Sequence, residues 1–139
     1  MCGVFEPSER QQAFEVLLKL IDENHGSLDC GIYGLRVIFH VLSRFGRSGL
    51  AFNMIIKPDF PSYGYQIAHG ATTRWELMSP IEYCQSSCNH HFFGDVASWF
   101  IQRLAGIRQN PFGEDVLLDV TVPSGMTAEL GLEAGWQTE

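Results

Sequence analysis

GYQIAHGATTRWE, residues 64–76, holds two glycines, a threonine pair, two aromatics and a histidine, and it ends with Glu76 beside Trp75. With the preceding residues it forms KPDFPSYGYQIAHGATT, in which two prolines and two glycines leave no sustained helical period. A structured loop of this length usually serves a site. Four aromatics between Phe60 and Trp75 are too many for a connection whose only work is to be solvated.

The sequence on the N-terminal side is helical. Residues 8–23 carry Phe14, Leu17, Leu18 and Ile21 at the spacing of one buried helix face. Ser8 and Gln11 are placed for a capping box after Pro7, and Asn24-His25-Gly26 offers a stop. The loop GSLDCGIYG leads to a second helix from about Ile32 to Phe45, with Leu35, Ile38, Leu42 and Phe45 on its apolar face and Gly46 as its end. A third is expected from Ser48 to Ile56. Links this short predict helical hairpins.

Beyond Asn89 the helical pattern returns through Val96, Trp99, Phe100, Leu104 and Ile107, with Gly106 near its end. From Asp115 the period becomes two: VLLDVTV, PSGM and TAELGL predict strand, turn, strand. A lone hairpin is marginal in water, so this tail reads as part of a sheet completed elsewhere. The expected domain boundary lies near Gln109–Gly113, dividing residues 1–110 from 111–139.

At 139 residues, 45% hydrophobic and 18% charged, the chain can form a core without staples, and it is slightly rich in apolar groups for its size. Nine scattered basic residues against sixteen acidic ones would repel a phosphate backbone, which argues against a nucleic-acid partner. No apolar run has the length of a membrane span, and MCGVFEPSERQQ lacks a basic-then-apolar leader. Cys84, Cys88 and His90, even with Cys30 and His25, match no standard zinc spacing; free thiols, with no metal or cofactor, are the better reading.

Glu76 is the candidate for chemistry. A carboxyl in a partly apolar recess holds its proton more tightly, toward the range useful for proton transfer. Flat aromatic walls with a few convergent polar groups suit a sugar ring. Tyr63, Tyr65 and Trp75 are candidate walls, and His69, Asn89, His90 and His91 candidate polar contacts. Composition alone reads Trp75 equally well as a core aromatic, any one of five histidines as a packing or surface group, and Glu76 as a solvated carboxylate. Asp29 and Asp95, close to Gly31 and Gly94, read as caps or turn residues.

HGSLDCGIYG, PSYGYQIAHGATTRWE and NHHFFGDVASWFIQRLAGI, in this order and spacing, resemble the catalytic domain of bacterial-type α-L-rhamnosidases, glycoside hydrolase family 78. The resemblance spans most of residues 5–107, and its most specific element is GATT-x-WE. It implies a mainly α chain forming part of an (α/α)₆ six-hairpin barrel, followed by a short β-hairpin from a C-terminal β-sandwich. It also implies inverting hydrolysis of terminal α-L-rhamnosides, with a rhamnose-containing glycoside as the small-molecule partner. Glu76 falls on the family's water-activating base, His90 on its sugar-contacting histidine, and Trp75 on the tryptophan of the same motif. This chain departs from the family where WELM replaces WERW, at Leu77 and Met78, and where the interval before Asn89 is short.

The family's general acid lies upstream of the matched region, and a full barrel has about twelve helices. The chain is therefore expected to be a C-terminal part of the catalytic domain, carrying the base without the acid and inactive or nearly so alone. Its possible partner is the rest of that domain, and any leader would be missing. The competing expectation is a carbohydrate-binding or interaction module without catalysis.

Overall fold

A computed structural model of the protein describes residues 4–76, 87–109, 116–121, 124 and 127. These residues are mainly helical. Helix α1 spans Arg10–Glu23, α2 Ile32–Arg44, α3 Ser48–Ile56 and α4 Tyr63–Ala68. A short turn of 3₁₀ helix, His91–Phe93, precedes α5, Val96–Trp99, which widens into a π turn over Phe100–Leu104. Strands β1, Ile107–Gln109, and β2, Val116–Leu118, pair antiparallel with Ile107 opposite Leu118.

The first three helices fall where the sequence puts them, and the expected faces of α1 and α2 are buried or half-buried. Phe14 of α1 stacks on Phe45 at 4.1 Å, joining the first helix to the end of the second. α2 packs on α3 and on α5. At the centre lie Phe39, Leu42, Met54 and Trp99, each nearly or fully removed from water. Phe39 meets Tyr63 of α4 edge-on at 6.2 Å and Trp99 of α5 at 6.0 Å, so one α2 side chain ties together the elements on either side of residues 69–90.

Turn chemistry holds the helix ends. Gly26, at φ 68°, sends its N–H to the carbonyl of Ile21, and the Lys57 ammonium reaches the His25 carbonyl (2.8 Å) and Ser27 Oγ (2.9 Å). The end of α3 is thereby tethered to the α1–α2 loop. At the start of α1 the expected Ser8–Gln11 capping box is not formed. The helix begins at Arg10, the Glu9 carboxylate accepts the Glu6 N–H, and Gln11 donates to Glu15.

Helix α4 corrects the expectation of a structured loop without helical period across residues 57–73. Ser62 adopts an extended conformation, and its Oγ accepts the Tyr65 N–H at 2.8 Å while its hydroxyl donates to the Lys57 carbonyl. This N-cap offsets the short length of the element and the poor helix propensity of Gly64. Gly64 has a packing reason. A Cβ there would press into the backbone carbonyls of Ile56 and Lys57 at the end of α3. Gly64→Ala is expected to cost about 1–3 kcal/mol by overpacking. Gly49→Ala, where a Cβ meets nothing within 4 Å, should be neutral or slightly stabilising. Urea unfolding of both variants checks the contrast.

Two C-terminal expectations also change. Ile107 was expected to continue the helical stripe but belongs to β1, because Gly106, at φ 71°, turns the chain and its carbonyl accepts the Asp119 N–H at 2.9 Å. β2 lies within the first expected strand and pairs with residues 107–109, a neighbour that the alternation did not predict. Backbone pairing is reinforced by Arg108 and Asp119, 2.7 Å apart. The interval 110–115 around the expected domain boundary, and the second expected strand beyond Thr127, lie outside the described residues.

Candidate active-site wall

Residues 73–76 and 87–90 lie side by side in an antiparallel sense. The Glu76 N–H donates to the Ser87 carbonyl at 2.9 Å, and the His90 N–H donates to the Arg74 carbonyl at 2.7 Å. The Thr73 hydroxyl donates to the Cys88 carbonyl. The Ser87 N–H in turn reaches Glu76 Oε2 at 3.2 Å. Two segments that the sequence separates are thus fastened by backbone bonds, which place Glu76 and His90 on neighbouring stretches of chain. Both side chains are half-buried, and Trp75 is buried.

Arg74 supports this arrangement from beneath. Its guanidinium lies 4.1 Å from the centre of the Tyr63 ring and 5.2 Å from that of Phe93, and it hydrogen-bonds the buried Gln66 amide oxygen. A cation over two aromatic faces, partly withdrawn from water, is favourable by more than an exposed pair would be. The Tyr63 hydroxyl donates to the Phe93 carbonyl at 3.0 Å. Burial pushes the Tyr63 phenol up to about 12 despite the opposing pull of Arg74, and burial likewise lowers Arg74 from its ordinary value. The pair is therefore a neutral phenol under a charged guanidinium at neutral pH. Neither Arg74 nor Ser87 was singled out from the sequence. The available signal was that Arg74 is the one Lys or Arg between Lys57 and Arg103.

Tyr63 is a core residue, 7% exposed, and not a wall. Tyr65 and His69 pack on each other, with ring centres 3.9 Å apart, and Tyr65 also meets Phe60. His69 Nδ1 turns to the Tyr65 carbonyl, so these two groups form a separate cluster on α4. Asn89 is exposed, and its N–H donates to Ser87 Oγ. The His90 ring packs edge-on against Phe92 at 4.8 Å, and its buried Nδ1 has no hydrogen-bond partner among the described residues. Asp95 precedes α5 without capping it and lies 3.9 Å from His40. Burial, then Arg103, holds His40 below the usual histidine range, against the pull of Asp95.

Two hollows accompany this wall. One, of about 490 Å³, is lined by Ile32, Tyr33, Arg36, His91, Phe92 and Asp95. The other, of about 330 Å³, lies between α1 and α3. Neither is lined by Glu76, Trp75 or His90. Among the described residues no group of three or more His, Cys, Asp or Glu is placed to hold a metal, and no helix is long and apolar enough to cross a membrane. Cys30 is a half-buried thiol whose proton is held more tightly by burial and by Asp29. Leu77, Met78 and Cys84 lie outside the described residues.

Comparison with known proteins gives one answer. The family model described as the bacterial α-L-rhamnosidase 6 hairpin glycosidase domain matches residues 1–104. An α-L-rhamnosidase of Alteromonas sp. (strain LOR) is 27% identical over 92% of this chain and 14% of its own length. An α-L-rhamnosidase of Streptomyces avermitilis is 31% identical over 70% of this chain and 10% of its own. Among solved structures, α-L-rhamnosidase from Dictyoglumus thermophilum superposes with a TM-score of 0.70 at 36% identity, covering 76% of this chain and 12% of that one. The Streptomyces avermitilis α-L-rhamnosidase complexed with L-rhamnose gives 0.69 at 31% identity, covering 73% and 11%. The 139 residues thus span a seventh or less of these relatives, and their helical part has the fold of the matching segment of a six-hairpin domain. Residues 1–104 account for most of the chain, and on them it belongs to the bacterial α-L-rhamnosidase six-hairpin glycosidase family.

Proposed function

We propose that this chain supplies one wall of an inverting α-L-rhamnosidase site, with Glu76 as the water-activating base, His90 as a sugar contact and Trp75 as the floor beside them. The observation that carries the reading is the backbone pairing of residues 74–76 with 87–90. It holds Glu76 and His90 on adjacent stretches of chain, with the Ser87 N–H on the Glu76 carboxylate, and this supports both assignments. In the reaction Glu76 takes a proton from water as its oxygen attacks the anomeric carbon. The bond to the leaving oxygen breaks on the opposite face, and a second carboxylic acid protonates that oxygen. The two carboxyl groups of an inverting pair stand about 6.5–9.5 Å apart to admit the water. The proton donor is assigned to the part of the catalytic domain outside these 139 residues.

L-Rhamnose titrated calorimetrically into the chain should bind, survive Glu76→Gln and weaken about tenfold on His90→Ala, a loss of about 1.4 kcal/mol. An aryl α-L-rhamnoside should be hydrolysed only in trace, because general acid catalysis, typically worth about 10²–10⁴-fold, is missing. Absence of rhamnose binding would remove the sugar-site reading. Robust turnover abolished by Glu76→Gln would place the donor within this chain.

A further inference from the structure

Arg74 joins two parts of the molecule. Its carbonyl accepts the His90 N–H at 2.7 Å, so its backbone belongs to the paired segments that carry Glu76 and His90. Its side chain reaches a cup formed by α4 and the 3₁₀ turn. The guanidinium lies 4.1 Å from the centre of the Tyr63 ring and 5.2 Å from that of Phe93, and it donates to the Gln66 side-chain oxygen. The cup is itself fixed. Tyr63 and Gln66 are buried, and the Tyr63 hydroxyl donates to the Phe93 carbonyl at 3.0 Å. The Gln66 carbonyl also accepts the Ala71 N–H at 2.9 Å, so α4 holds the chain at residue 71 and again at residue 74.

Arg74 lies two residues before Glu76, and Phe93 three residues after His90. One residue therefore meets both segments of the wall, the second through the His90 N–H and again through the Phe93 ring. Arginine suits this double contact. Its planar face lies over aromatic rings while its N–H edge donates to an amide oxygen, whereas a lysine ammonium is a point charge without that fork. Arg74 is half-buried, and a cation withdrawn from water needs such partners to offset its desolvation.

We propose that Arg74 is a positioning residue for the rhamnose wall: its guanidinium, clamped by Tyr63, Phe93 and Gln66, fixes Glu76 and His90 relative to one another. The inference rests on the reading of those two residues as base and sugar contact, and its test separates the two. Amide hydrogen exchange and calorimetric titration with L-rhamnose are carried out on the unaltered chain, Arg74→Met and Arg74→Lys. Methionine keeps an apolar side chain of similar reach and removes the charge and the donors; lysine returns a cation to the rings. In Arg74→Met the Glu76 and His90 amides should exchange about tenfold faster, while those of Phe39 and Leu42 in the core stay as they were. Rhamnose affinity should fall about tenfold in the same variant, and Arg74→Lys should recover part of both losses. Glu76 and His90 amides that exchange as in the unaltered chain would overturn the clamp. So would an acceleration shared equally by Phe39 and Leu42, which reports a general loss of stability, or a lysine variant no better than methionine. Faster exchange with unchanged rhamnose affinity would overturn the positioning role and leave the rhamnose wall standing. No rhamnose binding by the unaltered chain would overturn the wall and the positioning role with it, while the exchange contrast would still decide the clamp.

Discussion

Glu76→Gln is expected to lower kcat by about 10²–10⁴-fold when residues 1–104 of this chain stand in for the matching segment of the Streptomyces avermitilis relative. The substitution keeps side-chain length and leaves an amide oxygen to accept the Ser87 N–H, so the pairing of residues 74–76 with 87–90 persists. What it removes, under the proposed assignment, is the capacity to take a proton from the attacking water. An interaction realised only in the transition state is lost, so kcat falls while KM changes little. His90→Ala in the same background should do the reverse in part, raising KM through a contact present before the reaction. Steady-state kinetics on an aryl and an alkyl rhamnoside check the split. An unchanged kcat in the Glu76→Gln protein would remove Glu76 from the role of base.

The largest stability loss is expected at Trp99. Its side chain is fully buried, meets Phe39 at 6.0 Å and Phe100 at 5.2 Å, and donates its indole N–H to Ser43 Oγ at 2.8 Å. Trp99→Ala leaves a cavity where α2 and α5 meet and strips the Ser43 hydroxyl of one partner. Large-to-small changes of this kind cost about 3–5 kcal/mol, a large share of the roughly 5–15 kcal/mol that holds a domain folded. Trp99→Phe keeps much of the apolar contact and loses the hydrogen bond, so it should cost less than the alanine change. The bond itself contributes about 1 kcal/mol. Chemical unfolding monitored by circular dichroism measures both. A loss below about 1 kcal/mol for the alanine variant would mean that α5 does not anchor the core.

Much of this fold was legible because α1 and α2 each carry an apolar period that ends at a glycine, and α3 follows after a short link. α4 was not, since its stability lies in the Ser62 cap and in the close approach of Gly64 to α3, a contact across the fold. The strand at Ile107 was hidden for a similar reason. Its apolar side chain continues the helical stripe, and only the left-handed turn at Gly106 ends the helix before it. The pairing of β1 with β2 depended on register, which alternation alone does not set.

At the proposed site, the assignment of Glu76, Trp75 and His90 rests on family resemblance more than on spacing. Tyr63 was misread as a wall because an aromatic near a glycine looks the same whether it faces a ligand or lies under a guanidinium. Arg74 went unnoticed because one cation has no periodicity. Its role came from three-dimensional proximity to Tyr63, Phe93 and Gln66.

The most direct measurement is amide chemical-shift mapping of the isotopically labelled chain as L-rhamnose is added. The largest changes should fall on residues 74–76 and 87–91, and they should diminish in His90→Ala. Rhamnose-induced changes confined to other parts of the chain, with these two segments silent, would contradict the assignment of Glu76 and His90 to one sugar-binding wall.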